Sequence, residues 1–180
     1  FTLKSIIEDD INYILEGIRN ILINSVGKRL LSDRPIGALL SGGLDSSLVC
    51  GIISKLFPED MKRKFNTFSI GIKGSTDLIY SQKVSDFIGS KHHQIVCNEE
   101  EFLNAIPFVI CSIESYDTTT VRASVGNYLI GKYISQNTDI KVVFNGDGSD
   151  EQSGYKYLRN APNDDEFHRE CIKLLREIHY

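Results

Sequence analysis

The residues Ser41-Gly42-Gly43-Leu44-Asp45-Ser46-Ser47 link an apolar run, Ile36–Leu40, to a stretch with helical spacing. Small, polar and glycine residues placed there suit an anion. Gly42 and Gly43 allow positive φ and close backbone approach, and a helix starting at Ser46 would turn its first amides, with their partial positive charge, toward the strand's carboxyl end. Ser41, Ser46 and Ser47 add hydroxyl donors. Asp45 would repel a phosphate unless a cation lay between them, so magnesium is implied. The common phosphate loop needs Gly-Lys-Ser/Thr; Gly-Lys occurs only at Gly27-Lys28-Arg29 and Gly131-Lys132-Tyr133, neither after a strand. A strand–turn–helix junction that uses small residues only for packing is the alternative reading.

A second group follows another short apolar run. Asn145-Gly146-Asp147-Gly148-Ser149-Asp150-Glu151 holds three carboxylates and two glycines in seven residues. Alone it reads as a surface turn, since each residue type favours turns for local reasons. Together with the Asp45 loop it reads as a second acidic loop facing the same cleft. His92 and His93 are adjacent on an expected strand and so point to opposite faces, one packing and one solvated. Cys50, Cys97, Cys111 and Cys171 are scattered without a Cys-x-x-Cys pair, which argues against zinc and disulfides and reads as core thiols in a reducing compartment.

The elements that must position these groups alternate. Apolar residues three or four apart from Ile6 to about Leu31 predict an amphipathic packing helix, and Ser32-Asp33-Arg34-Pro35 a turn. Ile36–Leu40 is a strand, Ser46–Phe57 a helix and Phe65–Ile72 a second strand. The connection between the strands is long enough for a crossover and predicts parallel pairing. Asp77 is expected to cap a helix through about Ser90, His93–Cys97 to form a strand, and Asn98 with Glu101 to open the next helix as a capping box. A helix near Ala123–Gln136, a strand at Ile140–Phe144 and a helix from about Asp164 complete the pattern. The prediction is a doubly wound parallel α/β sheet with flanking helices and ligands beyond the strands' carboxyl ends.

Length and charge set further bounds. The 180 residues fit one domain with a substantial core, and the net charge of −4 with dispersed basic residues lacks the footprint of a polynucleotide binder. No run has the length of a membrane span, and a cytoplasmic location is expected. The chain starts at Phe1 and stops at Tyr180 inside a helical pattern, and reads as part of a longer protein.

Ser-Gly-Gly-Leu-Asp-Ser-Ser resembles the pyrophosphate loop of the ATP pyrophosphatase superfamily, which adenylates a substrate and releases pyrophosphate. With Phe68-Ser69-Ile70-Gly71, Ile113-Glu114-Ser115-Tyr116-Asp117-Thr118-Thr119-Thr120-Val121-Arg122-Ala123-Ser124, Gly146–Glu151 and Ala161-Pro162-Asn163, nearly the whole chain resembles the synthetase domain of the glutamine-dependent asparagine synthetases. The resemblance implies ATP-dependent activation of aspartate as an acyl-adenylate, then attack by glutamine-derived ammonia. It implies ATP contacts at Leu40, Ser41, Gly42, Gly43, Asp45, Ser46, Ser47, Ile70 and Gly146, with adenine against Leu40 and Ile70. Magnesium would be held by Asp45 and Asp150, and substrate by Thr119, Thr120, Arg122 and Asp147. Arg122, Asp147 and Glu151 would serve catalysis. A glutaminase domain of the same protein is an implied partner, and a homodimer is compatible with the family.

The resemblance has departures. The second loop usually reads Gly-Glu-Gly-Ser-Asp-Glu, and Asp147 is one methylene shorter than that glutamate. Gln152-Ser153-Gly154-Tyr155 stands where relatives usually carry a hydrophobic residue and Gly-Gly-Tyr, with one residue more. The family's catalytic lysine and its glutamine-hydrolysing cysteine lie outside these residues. Two other readings therefore stand beside asparagine synthesis: a module that holds ATP and pyrophosphate without making the amide, and a β-lactam-type or other amide synthetase.

Overall fold

The computed structural model describes residues 10–58 and 65–177. Ile21–Asn145 forms one compact unit; the residues up to Asn20 and those from Gly146 onward form another.

In the larger unit, β1 (Ile36–Leu39), β2 (Asn66–Ile72), β3 (Lys91–Cys97) and β4 (Val142–Phe144) make a sheet in the order β3-β2-β1-β4. Every pairing is parallel, with Gly37 opposite both Asn66 and Val143, as the crossover length predicts. The chain leaves β1 for β2 on one side and reaches β4 on the other. Between β1 and β4 lies the switch point at which such sheets receive ligands.

Strand alternation divides the side chains between two layers. Phe68 is fully buried with Ile130, Ile134 and Ile140, so its face of the sheet is covered by α5 (Thr118–Asn137). On the opposite face α2 (Leu44–Leu56) and α3 (Thr76–Ile88) close over Ala38, Leu40 and Phe65, with Cys50, Ile53, Val84 and Ile88 filling the core. Gly37 lets the Phe68 ring lie against β1: a Cβ there would stand 2.9 Å from Phe68 Cε2. The helix α4 (Glu99–Ile113) packs on α5 through Ala105, Val109 and Val125. Among the described residues no helix is long and apolar enough to cross a membrane.

Several boundaries differ from expectation for local reasons. Gly43 is extended and caps α2, so that helix starts at Leu44 and not Ser46. Ser75 accepts the Leu78 amide and caps α3, leaving Asp77 inside its first turn. Asp117 caps α5 through Thr120, so the helix starts at Thr118, five residues before the expected start near Ala123. The Asn98–Glu101 capping box forms as predicted. The first helix, α1 (Ile11–Arg29), buries Val26 beside Leu22 and Ile23, but Ile11, Leu15 and Ile18 are exposed. Its expected start at Ile6 lies outside the described residues.

Two side-chain expectations need correction. The expected split into one packing and one solvated histidine is not found: His92 and His93 are each half-buried, on a strand whose Gln94 and Val96 are exposed. His93 stacks on Phe68 at 4.8 Å, and His92 turns toward α3, reaching Ser81 at 3.2 Å. Burial holds both imidazoles below their ordinary pKa. Of the four cysteines, only Cys50 and Cys97 are core thiols; Cys111 is exposed and Cys171 half-exposed. Burial pushes the Cys50 thiol up to about 12. A thiol reagent acting on thiolates should therefore modify Cys111 quickly and Cys50 only after denaturation, as peptide mass mapping over time would reveal.

The smaller unit carries α6 (Ser149–Ser153), a 3₁₀ turn over Lys156–Asn160 that buries Leu158, and α7 (Asp164–Glu177), which begins where predicted. Asn163 accepts the Glu166 amide at 2.9 Å and starts α7.

Candidate functional site

After β1 the chain turns sharply at Gly42, whose φ of +86° is a conformation L side chains rarely adopt. It also presses on α3: a Cβ on Gly42 would stand 2.6 Å from Ser81 N and from Tyr80 C and Cβ. Gly43 is extended at φ −69°, so only the first of the two glycines needs the left-handed conformation.

Serine hydroxyls knit the loop. The Ser41 amide donates to Ser46 Oγ at 3.3 Å, the two hydroxyls lie 3.0 Å apart, and the Gly43 amide donates to Ser41 Oγ at 3.2 Å. Ser46 Oγ donates to Gly43 O at 3.4 Å. In this arrangement the Ser41 and Ser46 hydroxyls brace the loop. Ser47 Oγ is buried without a hydrogen-bond partner. Such an orphan is costly and marks a place where a ligand or water oxygen is expected.

The same loop opens α2, whose cap Gly43 offers no side-chain acceptor to the first amides. Asp45 lies half-buried in that first turn. Uncapped amides, an orphan hydroxyl and a glycine bend fit a phosphate. Among the described residues no three or more His, Cys, Asp or Glu side chains gather into a metal site. Magnesium often relies on one or two carboxylates plus phosphate oxygens, so the Asp45 carboxylate beside a phosphate cradle fits that ion.

Leu40, immediately before the loop, is only 1% exposed, and its amide donates to Phe68 O at 2.7 Å. Its side chain belongs to the core, leaving the backbone as what a planar base could meet. Ile70 is half-buried on β2 beside Gly126 of α5, where a Cβ would lie 3.8 Å from Ile70 Cγ2. Thr119, Thr120 and Arg122 are exposed on the first turns of α5. The Thr120 hydroxyl and amide both donate to Asp117 Oδ1 at 2.7 Å, which holds that carboxyl below its ordinary pKa. Arg122 lies along an apolar groove of about 500 Å³ between α4 and α5, lined by Ile106, Tyr116 and Val121.

In the smaller unit Gly148 takes φ +90° and caps α6, so Asp150 and Glu151 stand on a short helix rather than on the turn expected. Ser149 Oγ donates to Gly146 O at 3.0 Å. Tyr155, extended two residues beyond the end of α6, donates its phenol to Glu151 Oε1 at 2.7 Å and stacks on Tyr157. That bond holds the Glu151 carboxyl below its usual range and pushes the Tyr155 phenol up to about 12. Sequence reasoning misses the pair, because the turn at Gly154 and not helical spacing brings Tyr155 back to Glu151. Because the bond favours the carboxylate, its stabilisation is present above pH 4.5 and fades as pH falls through the lowered value. Tyr155→Phe should return the Glu151 titration upward toward 4.5 in side-chain NMR.

A parallel sheet flanked by helices, with a glycine-bent loop at the carboxyl end of β1, defines a doubly wound α/β domain. The family model for asparagine synthase matches residues 17–177, and the chain belongs to that family. It is 47% identical over 172 residues to the glutamine-hydrolysing asparagine synthetase of Gallus gallus and 48% identical to that of Homo sapiens. Each alignment covers 94% of this chain and 31% of the relative, so the chain spans about a third of the length of the curated relatives it matches. Among solved structures it is similar to an NH3-dependent NAD synthetase from Campylobacter jejuni (TM-score 0.48, 16% identity, covering 77% of this chain and 58% of that one). It is similar also to an NMN synthetase from Francisella tularensis (TM-score 0.49, 15% identity, covering 81% and 58%).

Proposed function

We propose that the protein carrying this chain makes asparagine from aspartate, ATP and glutamine-derived ammonia. The observation that carries the proposal is the Ser41–Ser47 loop, with its uncapped helix amides and orphan Ser47 hydroxyl, in a member of the asparagine synthase family. The aspartate side-chain carboxylate attacks the α-phosphorus, the bond to the bridging oxygen breaks, and pyrophosphate leaves. Ammonia then attacks the acyl carbon, gives up a proton, and AMP departs.

The α2 amides and the serines receive the β- and γ-phosphates, stabilising the charge that grows on the leaving group. Bound magnesium would neutralise part of that charge; Asp45 is assigned as a ligand, and Asp150 carries the same assignment. The Leu40 backbone, Ile70 and Gly146 take the adenine end. Thr119, Thr120 and Arg122 orient aspartate or the adenylate, with Arg122 able to fork onto a carboxylate or phosphate. Asp147 and Glu151 handle substrate recognition and the proton of ammonia. One partial synthetase domain, a glutaminase domain in the same protein, a homodimer and a cytoplasmic location complete the proposal.

The shorter carboxylate at Asp147 favours a second reading, a module that holds ATP and pyrophosphate without forming the amide. Incubation of the protein carrying this chain with magnesium, ATP, ammonia and an amino-acid panel separates the readings. AMP, pyrophosphate and asparagine formed only with aspartate support synthesis. ATP binding without aspartate-dependent pyrophosphate release contradicts it.

A further inference from the structure

We infer that His92 is a positioning residue for the Ser41–Ser47 loop, acting through Ser81 of α3. The inference rests on the reading of that loop as a phosphate site. Gly42 contacts α3 at the Tyr80–Ser81 peptide, where no Cβ fits, so the height of α3 on the sheet sets the position of the loop.

What fixes that height is polar. Thr67 and Ser69 of β2 and Ser81 and Ser85 of α3 are all at most 3% exposed. The His92 ring stands among them: Nδ1 lies 2.9 Å from Thr67 Oγ1, and Nε2 lies 3.0 Å from Ser69 Oγ and 3.2 Å from Ser81 Oγ. Ser81 Oγ donates its single proton to Leu78 O at 3.1 Å, so toward the ring it accepts. A proton on Nε2, with Nδ1 accepting from the Thr67 hydroxyl, satisfies these contacts. Ser90 Oγ extends the network, 2.8 Å from Thr67 Oγ1 and 2.9 Å from Ser85 Oγ.

One imidazole therefore ties β2, β3 and α3 together by directional bonds. Apolar contacts tolerate sliding; a satisfied buried network defines one arrangement, and losing its centre takes the ring's bond from the buried Ser69, Thr67 and Ser81 hydroxyls and with it the link between β2 and α3. His93, the next residue on the opposite face, provides the control. It is half-buried too, but it stacks on Phe68 and reaches Asn66 Oδ1 at 2.9 Å, away from α3.

The test measures affinity for magnesium pyrophosphate by calorimetry, with thermal unfolding alongside, in the protein carrying this chain. His92→Leu should weaken pyrophosphate about tenfold and Ser81→Ala about threefold, while His93→Leu lowers thermal stability and leaves the affinity unchanged. His92→Gln, which keeps one donor and one acceptor, should recover part of the loss. Equal affinity losses for the His92 and His93 variants, or unchanged affinity in His92→Leu and Ser81→Ala, would overturn the inference. Should Asp45→Ala leave pyrophosphate affinity unchanged, the reading of the loop fails; if it acts while His92→Leu does not, only the present inference fails.

Discussion

Gly42→Ala is expected to lower the affinity for magnesium-ATP by at least about a hundredfold, or roughly 2.7 kcal/mol. A side chain at φ +86° costs roughly 1–2 kcal/mol. The larger effect is steric. The new methyl carbon would fall 2.6 Å from Ser81 N and Tyr80 C, backbone atoms of a packed helix that have little room to yield. The loop must rise away from α3, carrying the Ser41–Ser46 brace with it, and the amides of α2 lose their orientation toward the phosphates. Gly74→Ala is the matched control. Gly74 also has positive φ, at +83°, but a Cβ there meets nothing within 4 Å. That variant should lose stability of the order of the strain alone and keep its ATP affinity in the same titration.

Phe68→Ala should destabilise the protein by roughly 3–5 kcal/mol, the range for removing a buried aromatic ring. Phe68 is wholly buried among Ile130, Ile134 and Ile140, stacks on His93 at 4.8 Å and meets the Tyr133 ring edge at 6.5 Å. Gly37 has no side chain with which to fill the space the ring leaves. A fall in melting temperature of roughly 10 °C is expected in calorimetry, using about 2–4 °C per kcal/mol for a chain of this size. Because Phe68 occupies the sheet face opposite α3, the ATP affinity of the folded fraction should change much less than in Gly42→Ala. Comparing the two variants separates the core from the loop.

The parallel sheet was legible because each apolar run was followed by a connection too long for a hairpin, and the Asn98–Glu101 box was legible because its residues satisfy each other locally. The start of α5 was hidden. Thr118, Thr119, Thr120 and Val121 are β-branched and read poorly as helix, yet Asp117 binds the Thr120 amide and hydroxyl and fixes the first turn. Asp77 has the residue type of a cap, but Ser75 lies one residue before the first helical position and makes the capping bond.

The glycine-bent turn between β1 and α2 was legible from the residue types of Ser41–Ser47 alone. Its support was not, since the contact of Gly42 with Tyr80–Ser81 joins residues distant in sequence. The same holds for the His92 network, which draws on β2, β3 and α3 together. The exposed Cys111 shows a related limit: its place on α4 follows from the register of a helix whose apolar residues cover more than one face.

The central claim is that Ser41–Ser47 binds the phosphates of ATP with Asp45 on magnesium. Calorimetric titration of ATP into the protein carrying this chain, with and without magnesium and in wild type against Asp45→Ala, tests it most directly. Tight binding that needs magnesium in wild type and is lost in Asp45→Ala, with thermal unfolding of the variant unchanged, is the predicted result. Equal magnesium-ATP affinity in the two proteins would contradict it.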